Sequence, residues 1–87
     1  MRPLNYAILK LFEDGREFDV QGVITQLQDE YSSFRAFKPM AINESLMSAE
    51  KNGLLEECNW ELDAQGELHV YYKATPYGIE MIHNYIK

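Results

Sequence analysis

The sequence predicts a small α+β domain: three helices, an antiparallel β-hairpin and a closing helix. Three observations predict it. Apolar residues recur at helical spacing in three separate stretches before Gly53. From Leu54 to Ala74 the pattern switches to period-two alternation, interrupted by Asp63-Ala64-Gln65-Gly66. Thr75-Pro76 then restarts a helical pattern that continues to Ile86.

In the first helix, Leu4, Ala7, Ile8, Leu11 and Phe12 define one apolar face, and Asp14-Gly15 ends it. Arg16-Glu17-Phe18 reads as a short extended connector that can add a third strand to the hairpin. Asp19 is placed to cap the second helix by accepting from free backbone N–H groups. Val20, Val23, Ile24, Leu27 and Tyr31 form that helix's stripe. Ser32 to Lys38 is a polar loop carrying Phe34 and Phe37, and Pro39 suits the first turn of a helix, where no N–H partner is needed.

The third helix is expected from Pro39 to Asn52. Ile42, Leu46, Ala49 and Gly53 line its inner side, and Met40, Asn43, Glu44, Met47 and Lys51 its outer side. In the hairpin, Cys58, Trp60 and Leu62 alternate with Glu57, Asn59 and Glu61. Leu68, Val70, Tyr72 and Ala74 alternate with Glu67, His69, Tyr71 and Lys73. Folding the hairpin back on the helices buries its apolar face. Thr75 caps the last helix, Pro76 opens it, and Ile79, Ile82 and Ile86 form its main stripe. Tyr77, Met81 and Tyr85 run beside that stripe and are expected to meet a second copy in a homodimer.

Eighty-seven residues with 46% hydrophobic content make one domain, residues 1–87, with a real core. A single cysteine, Cys58, excludes an internal disulfide and a cysteine-rich metal site. His69 and His83 have no Cys or His partner at ligand spacing, and no glycine-rich phosphate loop occurs. The adjacent pairs Glu13-Asp14, Asp29-Glu30 and Glu56-Glu57 diverge rather than converge. The expectation is a protein without enzymatic activity, metal or cofactor. No secretory signal or membrane span is visible, so the expected location is cytoplasmic.

The element order is that of a winged helix-turn-helix, with the hairpin as its wing. Several local words resemble PadR-like winged-helix transcriptional regulators. Tyr6-Ala7-Ile8-Leu9-Lys10-Leu11 is similar to that family's first helix. Glu50-Lys51-Asn52-Gly53-Leu54-Leu55 is similar to its third helix running into the wing. Tyr72-Lys73-Ala74-Thr75-Pro76-Tyr77-Gly78 resembles its entry into the final helix. The same words resemble YjcQ-type small winged-helix proteins. The chain departs from the PadR-like pattern at Phe37-Lys38-Pro39-Met40, where that family commonly has a tyrosine. The resemblance implies a regulator that binds double-stranded DNA through its third helix.

The net charge is −6, and it is unevenly distributed. Met1 to Tyr31 sets Arg2, Lys10 and Arg16 against Glu13, Asp14, Glu17, Asp19, Asp29 and Glu30, net −3. Ser32 to Gly53 sets Arg35, Lys38 and Lys51 against Glu44 and Glu50, net +1. Leu54 to Ala74 sets Lys73 against Glu56, Glu57, Glu61, Asp63 and Glu67, net −4. Only the segment holding the third helix is positive. In the DNA reading Arg35, Lys38, Lys51 and Lys73 meet phosphates, while Asn43 and Glu44 reach base edges. The acidic wing points elsewhere. A second reading is an interaction module that binds no DNA, in which Glu61, Asp63 and Glu67 address a basic protein partner and Met40 and Met47 adapt to its surface.

Overall fold

A computed structural model of the chain describes all residues from Met1 to Lys87. The order is α1 (Leu4–Lys10), α2 (Val20–Tyr31), α3 (Pro39–Lys51), β1 (Leu55–Leu62), β2 (Leu68–Ala74) and α4 (Pro76–Tyr85). The α+β class and the sequence of elements agree with the apolar periodicities.

Each helix places its stripe in one core. Ala7 and Ile8 of α1 are buried with Phe12 from the turn that follows; Val23, Leu27 and Tyr31 of α2 join Ile42, Leu46 and Ala49 of α3. Phe12 meets Phe18 edge to face, with ring centroids 5.3 Å apart, the arrangement favoured by the ring quadrupoles. Asp19 caps α2 as its position predicts, Oδ1 accepting from the Gly22 amide at 2.7 Å. The Tyr31 hydroxyl donates to the Arg2 carbonyl at 2.6 Å, which pins the chain's start across α2. At the far end Lys10 donates to the Ile86 carbonyl at 2.9 Å and to Glu13 at 2.8 Å, tying α1 to the end of α4.

The hairpin pairs Leu55 with Ala74 at its base and Leu62 with Leu68 near its tip, with a β-bulge between Glu57 and Asn59. Strict alternation puts Leu55 and Trp60 on opposite faces. The extra residue at Cys58 reverses the phase. Leu55, Trp60 and Leu62 therefore share a face with Val70, Tyr72 and Ala74. Only the base of that face is buried, at Leu55, Tyr72 and Ala74. Trp60, Leu62 and Leu68 are 56%, 68% and 59% exposed, so the expected burial of the whole apolar face does not occur. Val70 still packs partly against the core, but Trp60, Leu62 and Leu68 extend past it. The connector contributes one bridge rather than a strand: Phe18 and Tyr72 exchange N–H···O bonds of 3.0 and 2.9 Å.

Two other expectations change. Gly53 is not on the inner face of α3. It is exposed just past the helix end, at φ +79°. There the Leu54 amide donates to Ala49 and the Gly53 amide to Glu50, a Schellman stop that a left-handed residue makes possible. Ile79 is 37% exposed, so α4 buries Ile82 and, just beyond its end, Ile86.

The junction of α3, β1 and α4 is built around Thr75. Its hydroxyl donates to the Gly53 carbonyl at 2.6 Å and accepts from the Gly78 amide at 2.9 Å. Its own amide donates to the Leu54 carbonyl at 3.0 Å. Gly78 lies so close that a Cβ there would stand 1.9 Å from the Leu54 carbonyl oxygen. Substitution Gly78→Ala is expected to cost about 3 kcal/mol or more, the upper end of overpacking. Thr75→Ala should cost about 1–2 kcal/mol. Thr75→Ser, which keeps both hydroxyl bonds, should cost less. Urea midpoints measure all three, and equal losses for the Ala and Ser variants would remove the hydroxyl from this account.

A second tie fixes the wing. His69 Nδ1 lies 3.0 Å from Asp19 Oδ2, and Nε2 lies 2.9 Å from Asp63 Oδ2. Asp63 Oδ1 meanwhile accepts from the Gln65 and Glu67 amides, each at 2.9 Å. One imidazole thus joins the cap of α2 to the turn of the wing. Its contacts with Asp63, then Asp19, hold the His69 pKa above its ordinary value. Asp63 is held below its own, chiefly by His69 and then by the Glu67 amide. A raised histidine pKa stabilises the fold below about 6.5 and loses that effect as pH climbs through the folded value. A depressed aspartate pKa stabilises above about 3.9 and loses that effect as pH falls through the folded value. Substitution His69→Ala is therefore expected to lower Tm most between about pH 4 and 6.5, with the difference shrinking above that window. A Tm difference constant from acid to alkaline pH would show that the imidazolium is not what holds the wing.

Candidate nucleic-acid interface

The outer face of α3 is built by its two ends. Pro39 occupies the first helical position, and Lys38 is the N-cap, but no side chain caps the first turn. The positive end of the helix dipole therefore faces solvent with Lys38 exposed beside it and Arg35 exposed on the loop before it. Lys51 is exposed in the last turn, where its charge favours the negative end of the dipole. Between these ends lie Met40, Asn43, Glu44 and Met47, all exposed, with Met40 at 77%. Neither aromatic of the preceding loop shields this methionine's end of the helix: Phe34 packs on Tyr31, centroids 4.8 Å apart, and Phe37 packs against the core.

The two proposed base-reading residues point to different neighbours. Asn43 donates from Nδ2 to Met47 Sδ at 3.4 Å and borders a groove with Val20, Leu68 and Val70, on the wing side. Glu44 borders a groove with Asn5, Ile8 and Ser48, on the α1 side. Consecutive helical residues diverge by about 100°, which separates them. Lys73 is on the outer face of the wing, 3.9 Å from Glu56. Both are about half exposed, so this pair adds little. Arg35, Lys38 and Lys51 take part in no ion pair.

The acidic wing residues are not equivalent. Asp63 is committed to His69 and to the turn amides. Glu61 accepts a long bond, 3.4 Å, from the Tyr71 hydroxyl. Glu67 is exposed. Where the wing meets α3, Glu57 comes beside Glu50. Partial desolvation, and next the Glu57 carboxylate, raise the Glu50 pKa. Cys58 is part-buried at the bulge, donating weakly to the Tyr71 carbonyl at 3.5 Å. Burial, followed by the charge of Glu17, pushes its thiol pKa up, away from thiolate chemistry. On α4 Tyr77 is exposed, Met81 half-buried and Tyr85 72% exposed. Tyr85 and Met81 border a small apolar groove with Tyr6, Leu9 and Leu54. Tyr6 and the exposed wing face were not singled out from sequence. Alternation marked Trp60, Leu62 and Leu68 as apolar but carried no sign that the core stops short of them.

No family model matches the chain, and no curated protein matches it significantly. Solved structures do. PadR of Bacillus subtilis, in complex with operator DNA, superposes with a TM-score of 0.76 at 23% identity, over 97% of this chain and 46% of that one. A PadR-like transcriptional regulator from Bacillus cereus superposes with a TM-score of 0.68 at 22% identity, over 92% of this chain and 74% of that one. A transcriptional regulator from Clostridium thermocellum gives 0.68 at 19% identity, over 92% and 73%. The chain thus spans about half the length of the PadR chain. With helices, hairpin and closing helix in the same arrangement, the chain is a winged helix of the kind found in PadR and PadR-like regulators.

Proposed function

We propose that the chain is a DNA-binding transcriptional regulator that reads double-stranded DNA with α3. One observation carries this reading. In a chain of net charge −6, the only net-positive segment forms the uncapped start and the exposed outer face of α3. The likeness to PadR, whose structure was solved with operator DNA, supports it.

In this reading Arg35 and Lys38 hold phosphates beside the free amides of the first helical turn, and Lys51 holds one at the other end. Asn43 reaches an adenine edge, and Glu44 a cytosine amino group, in the major groove. Lys73 contributes one further, weaker phosphate contact. The wing's acidic tip stays off the backbone. Two copies associate through Tyr77, Met81 and Tyr85, which presents two recognition helices to a two-fold site. The protein acts in the cytoplasm and performs no catalysis; no helix is long and apolar enough to cross a membrane.

Fluorescence anisotropy of a labelled mixed-sequence duplex, titrated at several salt concentrations, tests the reading. Affinity should fall steeply between about 50 and 200 mM salt. Substitution Lys38→Glu should weaken binding and reduce the log–log salt slope by about one. The absence of binding even at low salt would sink the proposal. Sedimentation of Tyr85→Glu tests the dimer: the expected outcome is a shift to monomer, and an unchanged mass would move the interface elsewhere.

A further inference from the structure

The outer half of the hairpin presents an apolar face that the fold leaves uncovered. Trp60 is paired with Val70 and Leu62 with Leu68, so Trp60, Leu62 and Leu68 stand exposed on one side of a two-stranded ribbon, while Val70 between them packs partly against the core. At its base this face packs the core through Leu55, Tyr72 and Ala74. Leu68 and Val70 line a cleft whose other side is formed by Asp19, Val20 and Gln21 at the start of α2 and by Asn43 of α3, whose amide donates to Met47. Exposed aromatic and aliphatic groups next to a methionine wall are the composition of a protein-binding surface.

The charges around it select the occupant. Glu50 of α3 and Glu57 of β1 come beside each other where the wing meets α3; neither forms an ion pair, and Lys51 acts on Glu50 only at longer range. Glu67 is exposed beside Leu68 at the tip. Nucleic acid is repelled by this arrangement. A second copy meeting it face to face brings the same carboxylates together, at a like-charge cost. A cationic apolar segment satisfies both features. We propose that the cleft between α3 and the wing docks an amphipathic segment of a partner protein, which sets large apolar side chains on Trp60, Leu62 and Leu68 and a lysine or arginine between Glu50 and Glu57. This site does not use Arg35 or Lys38, but it shares Asn43 at its border with the DNA reading.

Trp60 is the only tryptophan of the chain and reports on the site directly. The probe is a synthetic amphipathic helix of leucines and lysines at i, i+3, i+4 spacing, with a leucine–glutamate counterpart of the same apolar pattern as control. The basic helix should give a saturable blue shift of Trp60 emission and protect it from acrylamide; the acidic helix should not. Leu62→Ser and Leu68→Ser alter exposed positions and should keep the fold, seen by circular dichroism, while together weakening the basic helix about tenfold or more. Glu50→Gln with Glu57→Gln should weaken it and flatten its salt dependence. Lys38→Glu should leave it unchanged whether or not DNA binding is lost. The proposal is overturned if the basic helix gives no saturable shift, or if both helices act alike. A shift produced by duplex DNA would assign the face to nucleic acid, and one produced by raising the protein concentration alone would assign it to a second copy.

Discussion

Thr75 holds three parts of the chain at one point: the end of α3, the base of the hairpin and the start of α4. Its hydroxyl accepts from the first turn of α4 and donates to the carbonyl of Gly53, while its amide takes the carbonyl of Leu54. Gly78 allows the approach, because any side chain there would run into the Leu54 backbone. Helix ends leave backbone groups unsatisfied, and this junction satisfies groups from two ends at once. The position of the wing relative to α3 follows from it. A hairpin of two strands is marginal alone, so its base must be anchored by something other than its own pairing. The junction anchors one strand end on each side, and His69 anchors the turn through Asp63 and Asp19.

The same hairpin shows how one extra residue changes a surface. The bulge at Cys58 brings Trp60 and Leu62 into phase with Leu55 and with the β2 residues Val70 and Leu68. Without it those side chains split between two faces and no continuous apolar patch exists. With it the hairpin has a buried base, an exposed apolar outer half and a polar outer face where Lys73 faces Glu56 and Tyr71 meets Glu61, while His69 turns to Asp19 and Asp63. The acidic charge of the wing and the positive charge around the start of α3 are therefore kept on different elements. Electrostatics sorts partners by sign more than it adds affinity.

Much of the fold was legible in the residues themselves. Asp19, Pro39, Gly53 and Thr75 mark ends because each answers a specific backbone need: a cap acceptor, a missing donor, a left-handed angle. The buried stripes Ala7-Ile8, Val23-Leu27-Tyr31 and Ile42-Leu46-Ala49 follow from the helical period. Of the candidate site, the cations Arg35, Lys38 and Lys51 were legible as a charge pattern, and all three are exposed and unpaired. The separation of Asn43 from Glu44 was not, because it depends on which neighbours flank each side of α3. Nor was the commitment of Asp63 to His69, a contact with Asp19 behind it some fifty positions away.

The sequence by itself determined the order and type of the elements and the segregation of charge, since these depend on local backbone chemistry and on counting; the first helix, expected to run to Asp14-Gly15, stops at Lys10 and continues as turns. Only the tertiary structure decided which apolar residues of the hairpin are core. Trp60, Leu62 and Leu68 carry the same alternating signal as Tyr72 and Ala74, but burial requires something on the other side. Past Val70, which packs partly against the core, the pattern continues into solvent, and that limit is set by where α3 and the Thr75 junction place the hairpin.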